Sequence, residues 1–322
     1  MASPPPESLL QEGLLSYKVY SSRWAILALF CFLSLANALM WVTFAPISDI
    51  ANDYFGDIGI TAVNMLAVVF QILYGPGTYL GLVAMKHYGL KGTLLFGGCL
   101  TLFGALLRVL GAYIMSESSP IVSYIIVLLG QCCAALAQPM FNNLPANIAA
   151  TWFASSERDA ATTISSLFNP LGNAVGQVLP PMFVTTSSNS KSSGMATLLI
   201  VEAIIIATAT SLVLVFFQSA PPTPPSHSAK LKRDGVDADV ENAALTTTHT
   251  AKLKEEFLQL LTNADYIILL LAFSVGLGLF NTFLTLINQL VAPHGYSNDD
   301  AGLLGAILIV SGLGGAGITG MS

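Results

Sequence analysis

The chain of 322 residues is 54% hydrophobic and only 9% charged, with a formal net charge of −6 and a mean hydropathy of +0.70; an ordinary soluble domain carries about 25% charged residues. This balance excludes a soluble enzyme, and the acidic net charge speaks against a nucleic-acid partner. Runs of roughly 20 apolar residues, the length that crosses about 30 Å of hydrocarbon as a helix, recur at 24–48, 60–84, 92–115, 121–143, 160–184, 195–217, 265–290 and 300–320. The sequence therefore predicts an all-α, multi-pass protein of the lipid bilayer.

Residues 1–22 are polar, carry Pro4, Pro5 and Pro6, and read as a disordered tail. The first apolar run is longer than a signal-peptide core and lacks a small-residue cleavage site, so it is expected to stay in the protein. On span 1, Ser34, Asn37, Trp41, Phe44 and Ser48 fall within about 80° of one another at 100° per residue. Spans 2 and 3 are joined by "MKHYGLKG", with Lys86, Gly89 and Lys91. Arg108 on span 3 and Glu202 on span 6 lie at similar outer depth and are expected to form a structural ion pair, because buried membrane charges pair with one another.

Span 4 ends in "ALAQPMFNNLPANIAATWF", where Gln131, Gln138, Asn142 and Pro145 share a face about 60° wide. Thr162, Ser166, Asn169, Asn173, Gly176 and Gln177 make a stripe about 100° wide on span 5, and Ser274, Asn281, Thr285 and Asn288 make another on span 7. Such residues either bond across helices, at about 0.6 kcal/mol each, or face a cavity. For one residue the two readings weigh about evenly; four stripes together point to a cavity lined by Asn37, Trp41, Gln138, Asn142, Asn169, Asn173, Asn281 and Asn288. All four cysteines lie inside spans without a CxxC pair, and no residue cluster calls for a metal, a cofactor or catalysis. The stripes also lack Asp, Glu and His, which favours facilitated over proton-coupled movement.

Placing the N-terminus in the cytoplasm leaves ten basic residues, from Lys18 to Lys254, on the inner side and only Lys191 outside. Residues 218–264, rich in proline and mixed charge, form an expected cytoplasmic linker, with a short amphipathic helix at 251–261. Residues 23–217 thus make a six-helix bundle and 265–322 the first two helices of a second. Six spans, a long linker and further spans is the layout of a major facilitator transporter, built as six plus six. This chain supplies six plus two, and "SGLGGAGITGMS" carries no basic stop or polar tail, so a fragment is expected. The alternative is a truncated, non-transporting homologue that binds or regulates a membrane partner.

Asn37-Ala38, Trp41 and Phe44-Ala45-Pro46 in span 1, Gly130-Gln131, Ala137-Gln138-Pro139 and Trp152-Phe153 around span 4, Asn169-Pro170-Leu171-Gly172 in span 5 and Leu286-Ile287-Asn288-Gln289 in span 7 coincide in one chain. Together they resemble the feline leukaemia virus subgroup C receptor-related branch of the major facilitator superfamily, over residues 23–322. The proline tract at 221–225 leans toward its less characterised subgroup. The resemblance implies a uniporter-like carrier of small organic solutes by alternating access, choline and ethanolamine among them, in the plasma membrane or an endomembrane such as lysosome or vacuole. It implies an aromatic cage whose helix 1 Trp matches Trp41. The cage's helix 7 Tyr falls on Asn281 and a helix 5 Gln on Pro170, leaving one aromatic wall, and Lys86 stands where the superfamily's gating loop normally has Asp.

Overall fold

The computed structural model describes residues 17–115, 119–184, 191–226, 229–230 and 259–320, all helical apart from short connections. Most of the expected tail, most of the linker and residues 251–258 of the expected amphipathic helix lie outside the described residues. The main elements are α1 (Ser22–Val42), α2 (Ser48–Tyr54), α3 (Ile60–Met115), α4 (Pro120–Asn143), α5 (Pro145–Trp152), α6 (Arg158–Phe183), α7 (Lys191–Phe216), α8 (Ala264–Val291) and α9 (Asn298–Gly320). Among the described residues, Ser22–Val42, Ile60–Ile114, Pro120–Asn143, Gly194–Phe216 and Ala264–His294 are long and apolar enough to cross a membrane. At 26 residues α6 has the length, about 39 Å at 1.5 Å per residue, but three prolines and its polar stripe dilute its apolar character.

Spans 2 and 3 are the two legs of α3, which folds back at Gly89, φ 64° and ψ −167°. That conformation is strongly disfavoured for any residue with a Cβ; the expected gating loop is therefore a hairpin on one glycine, flanked by Lys86 and Lys91. The α4 helix shows the reversal. Positions 62, 66 and 77 meet residues 124, 131 and 136–139 in parallel, whereas 97, 104 and 111 meet 141, 130 and 127 in antiparallel order.

Span 1 is shorter than expected. The helix stops at Val42, and an elbow at Thr43–Ile47, containing Pro46, turns the chain into α2. Phe44 and Ser48 are consequently off the α1 face on which helical arithmetic put them. The arithmetic assumed an unbroken helix; Pro46 removes a backbone donor and cannot continue one.

Helices α1 and α6 run side by side at very short range. A Cβ on Gly172 would sit 2.4 Å from the Leu35 carbonyl oxygen, and one on Gly176 would sit 2.5 Å from that of Leu39. Small residues four apart let two membrane helices touch backbone to backbone. Gly172→Val is expected to force these helices apart and to lower the melting temperature in detergent by several degrees, about 1–3 kcal/mol of overpacking; an unchanged melting curve would show the contact to be dispensable.

The apolar core of the bundle centres on Phe30, Leu33, Leu39, Met40, Phe141, Trp152 and Phe153, all nearly inaccessible. Beyond the linker, α9 packs along α6, where Gly302 and Gly305 lie against Gln177. In α8 the side chains from Ala264 to Leu279 are exposed apart from half-buried Ile267, whereas Leu284, Thr285, Ile287 and Asn288 are buried. The two halves thus meet at the ends of α8 and α9 farthest from the Gly89 hairpin, here called the outer end.

Candidate functional site

Between α1, α3, α4 and α6 on one side and α8 and α9 on the other lies a cavity of about 460 Å³. Its walls carry Trp41, Gln138, Asn142, Asn169, Asn173 and Asn281, together with Phe70, Gln71, Tyr74, Pro170, Leu277, Phe280 and Ile309. It shares Asn142, Asn169 and Pro170 with a recess of about 280 Å³ that runs past Ser34, Ser165 and Ser166 to Pro145. A third space of about 370 Å³, reached at Gln71 and Asn281, borders Asn64 and Thr285. None of these three linings includes a charged side chain.

Six of the eight sequence-predicted positions therefore meet at one cavity. Trp41 is buried, and its indole N–H donates to the Ala67 carbonyl at 3.1 Å. The polar edge of the ring is spent on the backbone, which leaves ring surface for the cavity. Asn169 and Asn173, one turn apart on α6, leave a side-chain donor and a side-chain acceptor respectively without a protein partner. Buried amides normally find partners, so these two groups are available to a solute.

Asn37 and Asn288 lie away from that cavity. The Asn37 amide donates to the Thr101 hydroxyl at 3.0 Å and to the Ala134 carbonyl at 3.1 Å, tying α1 to α3 and α4. It shares an angular face with Trp41 but sits one turn deeper, where its neighbours are helices. Asn288 lies two turns beyond Asn281, at the outer end. There its amide donates to the Pro46 carbonyl at 3.1 Å and to Asn298 at 3.0 Å, and it accepts from the Ser48 hydroxyl at 3.1 Å. Asn298 in turn donates to Asp49 at 3.0 Å, and Gln289 donates to Asn64 at 2.7 Å. These amides tie α2, α3 and the elbow to α8 and α9 at the outer end, a contact here called the outer seal.

Two further features frame the seal. Ser297 caps α9: its backbone N–H and hydroxyl both donate to Asp300, at 2.9 and 2.7 Å. On α2, burial pushes the Tyr54 phenol up to about 12. Deeper in, Arg108 and Glu202 pair at 2.9 Å with both side chains 1% exposed, and they line none of the three spaces.

The sequence reading overlooked Gln71 and Tyr74 of the first α3 leg. A signal existed: Asn64, Gln71, Tyr74 and Thr78 fall within about 80° at 100° per residue, a fifth stripe. Phe70, Tyr74 and Phe280 also correct the expectation of a single aromatic wall, since all three reach the cavity beside Trp41. They escaped notice because aromatic residues in a span look like lipid-facing bulk.

A bundle of long apolar helices folded around an uncharged central cavity defines a polytopic integral membrane protein. The model of the Major Facilitator Superfamily matches residues 26–322, and the chain belongs to that superfamily. It is 32% identical over 307 residues to Solute carrier family 49 member A3 of Xenopus tropicalis, covering 95% of this chain and 59% of the relative. It is 33% identical to the Danio rerio protein of the same name, covering 95% and 60%. It is 26% identical to the Choline/ethanolamine transporter FLVCR2 of Rattus norvegicus, covering 94% and 53%. The chain spans about 60% of the length of the first two relatives and about half that of the third.

Proposed function

We propose that this chain carries a small neutral or cationic organic solute across a membrane by alternating access, without coupling to protons. The observation that supports this most is the central cavity, about 460 Å³, which combines aromatic surfaces with unpartnered amides and carries no charge. Its volume suits a metabolite of choline size. With no Lys or Arg in the lining, nothing there rewards a carboxylate or phosphate, whereas an ammonium group gains from the faces of Trp41 and its aromatic neighbours. A hydroxyl or amide on the same solute has partners in Asn169 and Asn173.

The relatives named as choline and ethanolamine transporters make those compounds the first to try. The N-terminus is assigned to the cytoplasm, so that the cavity, sealed at the outer end, opens inward through the recess at Pro145, Ser165 and Ser166. The deciding experiment is uptake of radiolabelled choline and ethanolamine into proteoliposomes, with and without an imposed pH gradient. Saturable uptake that ignores the gradient supports the reading. Uptake that follows the gradient overturns the uncoupled mechanism, and no uptake of either compound overturns the assignment of these solutes.

Asn173→Leu separates binding from folding. The change removes a buried acceptor that has no protein partner, so stability is expected to stay level or rise, because an unsatisfied buried group is a liability. Affinity for the solute is expected to fall about tenfold, the scale of one lost hydrogen bond plus an apolar group in its place. Melting curves and uptake KM, measured together, check the split. A loss of both stability and uptake would mark Asn173 as structural.

A further inference from the structure

We infer that the buried Arg108–Glu202 pair is a positioning device for the outer seal: it fixes the Thr43–Ile47 elbow from which the seal's partners for Asn288 hang. The elbow is short and is held from both sides. On the buried side, the Thr43 hydroxyl donates to Glu202 Oε1 at 2.8 Å, and the Arg108 guanidinium sits 5.2 Å from the centre of the Phe44 ring. On the side facing α8, Pro46 and Ser48 provide the acceptor and donor, each at 3.1 Å, that hold Asn288. Only one or two residues separate the two sets of contacts, so a shift of the elbow by a fraction of a bond length passes directly to the seal.

Stability alone is a poor account of the pair. Arg108 Nε and Nη1 find no hydrogen-bond partner in the protein, and a buried ion pair with donors left over contributes little over well-packed apolar residues. Its two members come from different helices, α3 and α7, and converge on the point where α1 breaks. Among the described residues Arg108 and Glu202 form the sole ion pair buried on both sides; the other, Arg23–Glu157, is partly exposed. The geometry matches a device that sets a backbone position.

The consequence for transport rests on the alternating-access reading, because a looser elbow favours the state open at the outer end. The test uses the full chain in proteoliposomes with a cysteine reporter in the cavity, Asn281→Cys, labelled by a membrane-impermeant thiol reagent from the outer side. Labelling of the native cysteines, measured without the reporter, is subtracted. Thr43→Val keeps the side-chain shape and removes only the hydroxyl. It is expected to speed reporter labelling about tenfold, the scale of one hydrogen bond to a charged group, while Thr43→Ser restores the parent rate.

Asn288→Ala, which breaks the seal directly, is the reference. Thr43→Val labelling at the parent rate while Asn288→Ala labels faster would overturn the positioning role. Parent rates in both variants would sink the outer seal, and with it the proposed alternating access. Should Thr43→Val not accumulate, Glu202→Gln keeps an acceptor for Thr43 but removes the charge that holds Arg108 over Phe44. It is expected to speed labelling in the same direction, and a parent rate there overturns the positioning role equally.

Discussion

Replacing Trp41 with alanine is expected to raise the Kd for a quaternary ammonium solute at least tenfold, since a desolvated cation–π contact is worth about 2 kcal/mol. The same substitution removes a buried indole, 5% exposed, that packs in the core and binds the Ala67 carbonyl. Truncating a buried aromatic costs about 3–5 kcal/mol of stability, so alanine alone confounds ligand and fold. Trp41→Phe resolves this. Phenylalanine keeps a ring against the cavity, gives up the indole hydrogen bond and offers a weaker quadrupole, so its affinity is expected to fall between the two. Equilibrium binding of labelled choline to purified protein, beside melting curves without ligand, checks the order Trp, Phe, Ala. A folded Trp41→Ala protein that binds choline as tightly as the parent would remove Trp41 from the site.

Helical arithmetic carried much of this site. Gln138, Asn142, Asn169, Asn173 and Asn281 come from three helices far apart in sequence, yet the face each occupies followed from 3.6 residues per turn and the expense of polar groups in lipid. The arithmetic failed where the helix it assumed was not there: Phe44 belongs to the elbow and Ser48 to α2, because Pro46 cannot continue α1. It also failed where angle was right but depth was wrong. Asn37 shares the angle of Trp41, and Asn288 that of Asn281, yet each lies at a level where its neighbours are protein. Depth along a span depends on how helices slide past one another, which is set by close contacts such as Gly172 on Leu35, and those need the partner helix to be known.

Two of the cavity aromatics were illegible for a different reason. Phe70 and Phe280 look like lipid-facing residues, and only the placement of α8 near the first leg of α3 brings both to the cavity. The fold-back at Gly89 was visible as a polar break in the apolar pattern, though not as a single-residue hinge. A glycine between two lysines, with Gly92 close behind, reads equally as an ordinary loop.

Removing one member of the Arg108–Glu202 pair is expected to destabilise the fold as much as truncating a buried aromatic. Arg108→Leu leaves Glu202, 1% exposed, as an uncompensated carboxylate whose remaining partner is Thr43. Glu202→Leu strands a guanidinium already short of acceptors. Either is expected to destabilise the fold by about 3–5 kcal/mol, the penalty of one unpaired buried charge. Replacing both residues together, Arg108→Met with Glu202→Leu, removes the charge instead of orphaning it, and the double variant is expected to recover most of the loss. Such recovery would be strongly non-additive, as residues in direct contact require.

The double variant also separates two roles. If the pair only braces the bundle, recovered melting behaviour should bring recovered function. If it sets the elbow, the double variant melts like the parent yet labels rapidly at the cavity reporter, because Thr43 has lost its carboxylate and Phe44 its cation. Melting in detergent and outer-side labelling of one protein preparation read both quantities at once. A double variant that is stable and sealed would leave the pair with no role beyond filling the space between α3 and α7.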